Sequence, residues 1–342
     1  MAMKMGRWLA AAGILAAVAA TGAKAQTVAP SGPLEAREQQ ESFTLLMEND
    51  KFNGTDKWYT SGAKLILSRP APATPAFIVS PLIAANQWIF DQPGRNRYEL
   101  ALGQNIYEPN DESLNPPDPR DRPYAAWAYL SATAVAENRG QQNTLEVQLG
   151  VVGPWALGKE IQDVVHTLIG SDQPKGWGSQ LPNEPGLLVG LSRRWRSTPV
   201  PVVGGIGIDV VPFVGVAVGN VQTYANLGAQ LRLGSALRAD FGSPRVRPAG
   251  GAAIPLMRNE FGWYVFAGAE GWVVARDIFL DGSTFEDSPS VSKESVVGEW
   301  SVGFVAYVPG GRFNATYIKR SEEFSSQPNA FEYGSASLTF AF

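Results

Sequence analysis

Apolar and polar residues alternate with a period of two along much of this chain. From Thr144 to Val151, Leu145, Val147, Leu149 and Val151 share one face, while Thr144, Glu146, Gln148 and Gly150 share the other. From Ala225 to Leu233 the apolar side is Ala225, Leu227, Ala229, Leu231 and Leu233, opposite Asn226, Gly228, Gln230 and Arg232. A two-residue period puts successive side chains on opposite sides of a β-strand. In a soluble sandwich the polar face would meet water. In a membrane barrel it would line the lumen and leave the apolar face to lipid.

The pattern predicts strands near 42–48, 58–67, 97–106, 124–135, 143–151, 186–195, 205–218, 221–234, 262–275, 295–307, 311–320 and 332–342. About twelve strands is an even number, as expected when both ends of a barrel are periplasmic. Pro212 falls inside one predicted strand and marks either a bulge or a misplaced boundary. If the first strand runs outward, the connections 49–57, 107–123, 152–185, Gly219-Asn220, 276–294 and 321–331 are extracellular. Segments 68–96 and 235–261 are then periplasmic, and long for such turns. Trp58, Tyr59, Tyr107, Tyr124, Trp127, Trp155 and Tyr224 suit the aromatic girdles of a membrane barrel.

The two ends of the chain separate the membrane reading from the soluble one. Ser335 to Phe342 is an alternating strand closing on Phe340-Ala341-Phe342, an ending common in Gram-negative outer-membrane barrels and rare in soluble domains. Lys4 and Arg7, the apolar run Trp8 to Ala20 and Ala23-Lys24-Ala25 fit a secretory signal cleaved before Gln26. The expected organisation is a signal peptide over 1–25 and a single all-β, antiparallel transmembrane barrel over 26–342. No segment of that barrel is an apolar run of the roughly 18 residues a membrane helix needs. Removing Lys4, Arg7 and Lys24 leaves 25 basic against 32 acidic residues, so the formal charge moves from −4 to −7. That argues against a general nucleic-acid binder. Without cysteine, the exported chain must be held by packing, metal binding or closed hydrogen bonding.

One stretch breaks the two-residue rhythm. Between Gly158 and Gly170 the spacing turns helical, with Ile161, Val164, Val165, Leu168 and Ile169 forming an apolar arc and Gly170 a C-terminal stop. His166, the only histidine, lies at the edge of that arc, with Gln162 four residues before it on the same border. Packed by its arc against a barrel wall, this helix would aim His166 into the crevice between them. There a neutral imidazole could take a proton from water; the alternative is a helix-edge histidine with an ordinary hydrogen bond.

A second cluster follows the first strand. Asn49, Asp50 and Asp56, with free loop carbonyls, offer hard oxygens suited to Ca²⁺, which takes about six to eight such ligands. The spacing is not that of an EF-hand, and one histidine with no cysteine disfavours zinc. A plain polar turn, favoured by Asn53-Gly54, is the alternative. Near the same rim, Arg120 and Arg122 in Asp118-Pro119-Arg120-Asp121-Arg122-Pro123-Tyr124 could bind phosphate or carboxylate groups of an anionic lipid. They could equally pair with aspartates within the loop. No Gly-x-Ser-x-Gly elbow is present.

Taken in order, these segments resemble the outer-membrane lipid A 3′-O-deacylase family. The matching blocks are Glu48-Asn49-Asp50, Tyr59-Thr60-Ser61-Gly62, Gly103-Gln104-Asn105-Ile106-Tyr107 and Asp121-Arg122-Pro123-Tyr124-Ala125. They continue with Gly150-Val151-Val152-Gly153-Pro154, Gln162, His166 to Gly170, Gly176-Trp177 and Asn183-Glu184. The resemblance implies a twelve-stranded barrel with its active site between the wall and an extracellular helix, and chemistry like that of calcium-dependent phospholipase A2. Carried over by motif, Asn49 and Asp50 belong to the Ca²⁺ and oxyanion site, Thr60 supports it, and His166 is the general base. Gln162, Arg120 and Arg122 are assigned to substrate contact. The family pattern has a lysine after the block ending at Tyr107, but residues 107–123 contain none, leaving Arg120 or Arg122 as candidates to replace its charge. The expected partners are lipid A as substrate, outer-membrane lipids, and the barrel-assembly machinery during biogenesis. Two other classes remain open: a passive pore or structural barrel with Glu146, Gln148, Gln230 and Arg232 in its lumen, and a barrel phospholipase.

Overall fold

Closure of the sheet organises everything else in the molecule. The computed structural model describes residues 41–53, 58–71, 77, 79–91, 94–255 and 258–342. The expected signal segment, Gly54 and Asp56 lie outside them. Thirteen strands follow in chain order: β1 Ser42–Asn49, β2 Trp58–Pro70, β3 Arg95–Glu108, β4 Ala125–Glu137, β5 Gln141–Val152, β6 Glu184–Trp195 and β7 Val200–Val203. The chain continues through β8 Ile206–Gly219, β9 Gln222–Gly234, β10 Gly262–Asp277, β11 Val296–Val308, β12 Gly311–Arg320 and β13 Phe331–Ala341. Twelve of these form a closed antiparallel barrel, because β1 pairs with β13 and β6 pairs with β8. The short β7, absent from the sequence expectation, is an appendage paired only to β8. A closed barrel satisfies its backbone N–H and C=O groups within the protein, as a non-aqueous surround requires.

The two faces of each strand are used inside out relative to a soluble domain. On β9, Asn226, Gln230 and Arg232 are buried in the lumen, while Leu227, Leu231 and Leu233 are exposed outside. Leu102, Leu130 and Leu149 are likewise exposed on β3, β4 and β5. Pro212 sits inside β8 with no bulge, just before Phe213, the first residue of that strand paired to β6. Its missing N–H therefore lies beyond the β6 ladder.

The aromatic-girdle expectation is corrected. Trp58, Tyr59, Tyr107, Tyr124, Trp127 and Tyr224 are all buried, and only Trp155 of that set is exposed. Tyr59, Tyr107, Trp127 and Tyr224 line a lumen cavity of about 60 Å³. Period-two parity turns these side chains inward, so they roof the lumen instead of ringing the membrane.

The two long connections at the opposite rim have structural work. Helix α1, Val79–Phe90, packs outside β4 and β5, where the buried Asn86 Nδ2 donates to the carbonyl of Ala134 at 3.0 Å. Residues 235–254 turn back into the barrel and fill it. Val246 and Ile254 pack with Leu46, Ile66 and Ala101, while Ala236 and Leu237 pack with Tyr264, Phe266, Val305 and Tyr307. Asp240 receives Arg232 Nη1 at 2.6 Å, Arg312 Nη2 at 3.2 Å and the hydroxyls of Tyr264 and Tyr307 at 2.8 and 2.5 Å. Arg245 bridges to Glu48 at 2.7 Å and Glu299 at 2.6 Å. The expected lumen residues are absorbed in this filling or across the wall: Gln230 bonds Ser243, and Glu146 pairs with Lys64 and accepts from Gln148.

Such ion pairs contribute little relative to apolar packing while intact, but removing one partner leaves a buried charge uncompensated. Asp240→Asn is therefore expected to destabilise the folded barrel by about 3 kcal/mol, measured as a lower unfolding midpoint in urea followed by tryptophan fluorescence.

Candidate active site

The residues singled out from the sequence gather where β1, β2 and β3 end at one rim. On β1 the lumen side is Ser42, Thr44, Leu46 and Glu48, so Asn49 falls on the outward side. A register shift between Tyr59 and Ser61 makes Thr60 an extra residue in the β2–β3 pairing. That bulge keeps Tyr59 beside the lumen residue Tyr107, their rings 5.4 Å apart, while Ser61 pairs with Ile106. Bulges at strand ends re-aim side chains in this way.

The predicted helix is present as α2, Gly158–Ile169, with Gly170 at φ 73° as its stop. Gly158 is required by close packing, since a methyl there would strike Ala126 and come within 2.8 Å of the Trp177 ring. The face by which α2 meets the wall is not the expected one. Gln162 and His166, 2% and 1% exposed, are turned inward, whereas Ile161, Val164, Val165 and Leu168 are exposed. Two polar hydrogen-bonding residues replace the apolar arc as the contact, because outside a membrane barrel the apolar side is the one that need not be buried in protein.

What holds α2 is a polar bridge. Gln162 Nε2 donates to Glu108 Oε2 at the end of β3, and Trp177 Nε1 donates to Gln162 Oε1 at 2.8 Å. Trp177 in turn packs with Ile106, Tyr124, Ala126 and Ala156. Gln104 Nε2 adds a bond of 2.6 Å to the carbonyl of Ala156.

His166 is held in one tautomer. Its Nδ1 lies 2.6 Å from the carbonyl oxygen of Asp172, which can only accept, so Nδ1 carries the proton. Nε2 is then the basic nitrogen, the form a general base requires. Lys51 brings its Nζ within 3.3 Å of Nε2 and donates to Ser171 Oγ at 3.0 Å. Lys51 is not among the residues expected from the sequence, although it directly follows Asn49-Asp50: the cation comes from the first connection and not from the one after Tyr107, where the family pattern has its lysine. Glu108 was also missed, while Trp177 was visible only as part of a matching block.

The oxygen donors fit a hard cation in kind. Asp50 is fully buried, and the Thr60 hydroxyl is buried with no hydrogen-bond partner, an oxygen left available for a ligand. Asn49 Oδ1 accepts from the backbone of Lys51 at 2.7 Å, forming the polar turn and retaining a second lone pair. No three of His, Cys, Asp or Glu gather as a metal site among the described residues. A cation held by one carboxylate with amide, hydroxyl and carbonyl oxygens would be Ca²⁺-like and not zinc-like.

The remaining candidates are engaged elsewhere. Arg120 is exposed and clasps Asp118 at 2.8 Å, and these hydrogen bonds hold the Asp118 carboxyl down to about 2. Arg122 is buried, pairs with Glu323 at 3.1 Å and lies over the Tyr107 ring. Burial pushes the Glu323 carboxyl up, but Arg320 and Arg122 overcome it and hold it below its ordinary range. Gln162 has both ends of its amide committed to Glu108 and Trp177.

A filled transmembrane barrel whose single histidine is buried beneath a helix on the outside of its wall is an outer-membrane-type barrel and not an open pore. The family model described as outer membrane protein LpxR matches residues 9–342, and the chain belongs to that family, whose members modify lipid A. Among solved structures, LpxR from Salmonella typhimurium superposes with a TM-score of 0.70 at 22% identity, covering 88% of this chain and 100% of that one. The β domain of the Bordetella autotransporter Brka matches with a TM-score of 0.42 at 12% identity, covering 89% and 99%. No curated protein matches the chain.

If the Glu108–Gln162–Trp177 bridge fixes α2, Gln162→Ala should free the helix locally without unfolding the barrel. Loss of a buried bond of about 1–3 kcal/mol predicts roughly ten- to hundredfold faster amide exchange confined to residues 158–169, read by hydrogen–deuterium exchange mass spectrometry.

Proposed function

We propose that this outer-membrane enzyme hydrolyses the 3′-linked acyl (acyloxyacyl) ester of lipid A, with His166 as general base. The observation that carries the reading is the tautomer of His166: a buried imidazole whose Nδ1–H is committed to Asp172, leaving Nε2 toward Lys51 beside the Asn49–Asp50 turn. Nε2 takes a proton from water, and the resulting hydroxide adds to the ester carbonyl carbon. The tetrahedral intermediate then expels the 3′-oxygen, which recovers the proton from Nε2 as the C–O bond breaks. The products are a free fatty acid and a lipid A 3′-hydroxyl, and no acyl-enzyme is formed. Asn49, Asp50 and Thr60 would hold Ca²⁺. When bound, Ca²⁺ supplies a positive charge that polarises the carbonyl and stabilises the oxyanion.

Lys51 has a separate part in this scheme. Its ammonium faces Nε2, where the water must stand, so the substrate has to draw it aside. An anionic head group can do so, since Lys is a mobile point charge suited to phosphate. This gives the site a cation where residues 107–123 have no lysine, and it does not use Arg120 or Arg122. Recognition of the terminal Phe342 strand by the barrel-assembly machinery belongs to the same outer-membrane reading.

Mass spectrometry of lipid A from outer membranes expressing the wild type should show loss of the 3′-linked acyl mass. The change should vanish with His166→Ala and on chelation of calcium in isolated membranes. Unchanged lipid A beside a correctly inserted barrel would refute the deacylase, and release of lysophospholipid would favour the phospholipase instead. Lys51→Met should raise KM at least tenfold, with Lys51→Arg restoring part of the loss; an unaltered KM would remove Lys51 from head-group binding.

A further inference from the structure

Helix α2 has three sides. At 3.6 residues per turn, Gly158, Gln162 and His166 share one side and Lys159, Glu160, Asp163 and Thr167 another. Ile161, Val164, Val165 and Leu168 occupy the third, about a third of a turn from the wall side. The first side is buried on the barrel and the polar side is largely open. The apolar side is open as well, with Val164 59% and Leu168 80% exposed, and Trp155 just before the helix is 75% exposed. A soluble surface does not ordinarily carry such a row.

Its surroundings indicate what covers it. The helix lies against β3 and β4, beside the cluster that contains Ile106 and Ala126. Four residues along the same outward faces, about 13 Å away, the paired Leu102 and Leu130 are exposed on the lipid-facing wall. The apolar side of α2 is thus continuous with the surface through which the barrel already meets the membrane. The charged side completes the division expected of a helix lying in an interface plane, apolar below and polar above.

We propose that α2 is an interfacial helix immersed in the leaflet at the site rim, its Ile161–Leu168 side in contact with lipid acyl chains. This immersion sets His166, on the adjoining side, at the boundary between acyl chains and head groups. The inference rests on the barrel's place in the membrane and not on the reaction proposed above.

The absence of cysteine makes the test direct, because one introduced thiol is unique. Ile161→Cys, Leu168→Cys and Glu160→Cys would each be labelled with the fluorophore NBD. The full-length protein would then be refolded into phosphatidylcholine vesicles, with insertion checked by heat-dependent gel mobility. Labels at 161 and 168 are expected to be quenched strongly by acyl-chain nitroxide lipids and shielded from aqueous iodide, with the opposite behaviour at 160. Iodide access at 161 and 168 equal to that at 160 would overturn the proposal. So would shielding from both quenchers, which would mean that protein covers the face. Two independent apolar positions guard against one poorly folding variant, and the readout involves no hydrolysis.

Discussion

The barrel rests on one constraint: a backbone surrounded by lipid must find its hydrogen-bond partners within the protein. Pairing β1 with β13 and β6 with β8 meets it, and the reversed faces follow. With apolar side chains committed outward, the interior has to be built from polar and aromatic groups. Those groups need partners of their own, which residues 235–254 provide. Arg245 joins Glu48 on β1 to Glu299 on β11, and Asp240 collects Arg232 from β9 and Arg312 from β12. The filled interior leaves function to the outside of the wall.

The site shows the same economy at smaller scale. Glu48 and Asn49 are consecutive, yet one braces the lumen and the other faces the crevice. The bulge at Thr60 lets Tyr59 remain inside without breaking the neighbouring pairing. On the far side of the crevice, Gln162 connects Glu108 with Trp177, so one amide ties a strand end to the loop that returns from the helix.

Much of this was legible because the two-residue period writes strand parity directly into the sequence. All twelve barrel strands lie where alternation placed them, and Gly158 and Gly170 bound α2 as expected. What failed has a common physical cause: periodicity tells which residues share a side, but not what that side meets. The apolar arc of α2 was expected against the wall and instead faces outward. Five expected girdle aromatics lie inside the barrel for the same reason, and Tyr124 is buried under Trp177 on the outer side of the wall. The filling by 235–254 was hidden because its contacts are long-range, such as Arg245 with Glu48. Lys51 was hidden because its proximity to His166 joins connections over a hundred residues apart.

The seam of the barrel has a temporal consequence. Asn49 pairs across it with Gly334 of β13, a strand nearly three hundred residues away along the chain. Until β13 arrives beside β1, the wall that carries Asn49 and Thr60 has an open edge, whereas β3 and β4 under α2 pair without it. Such sequence-distant pairing is among the slow steps of folding. The stretch of wall that carries Asn49 and Thr60 therefore gains its second neighbour only when the two ends of the sheet meet.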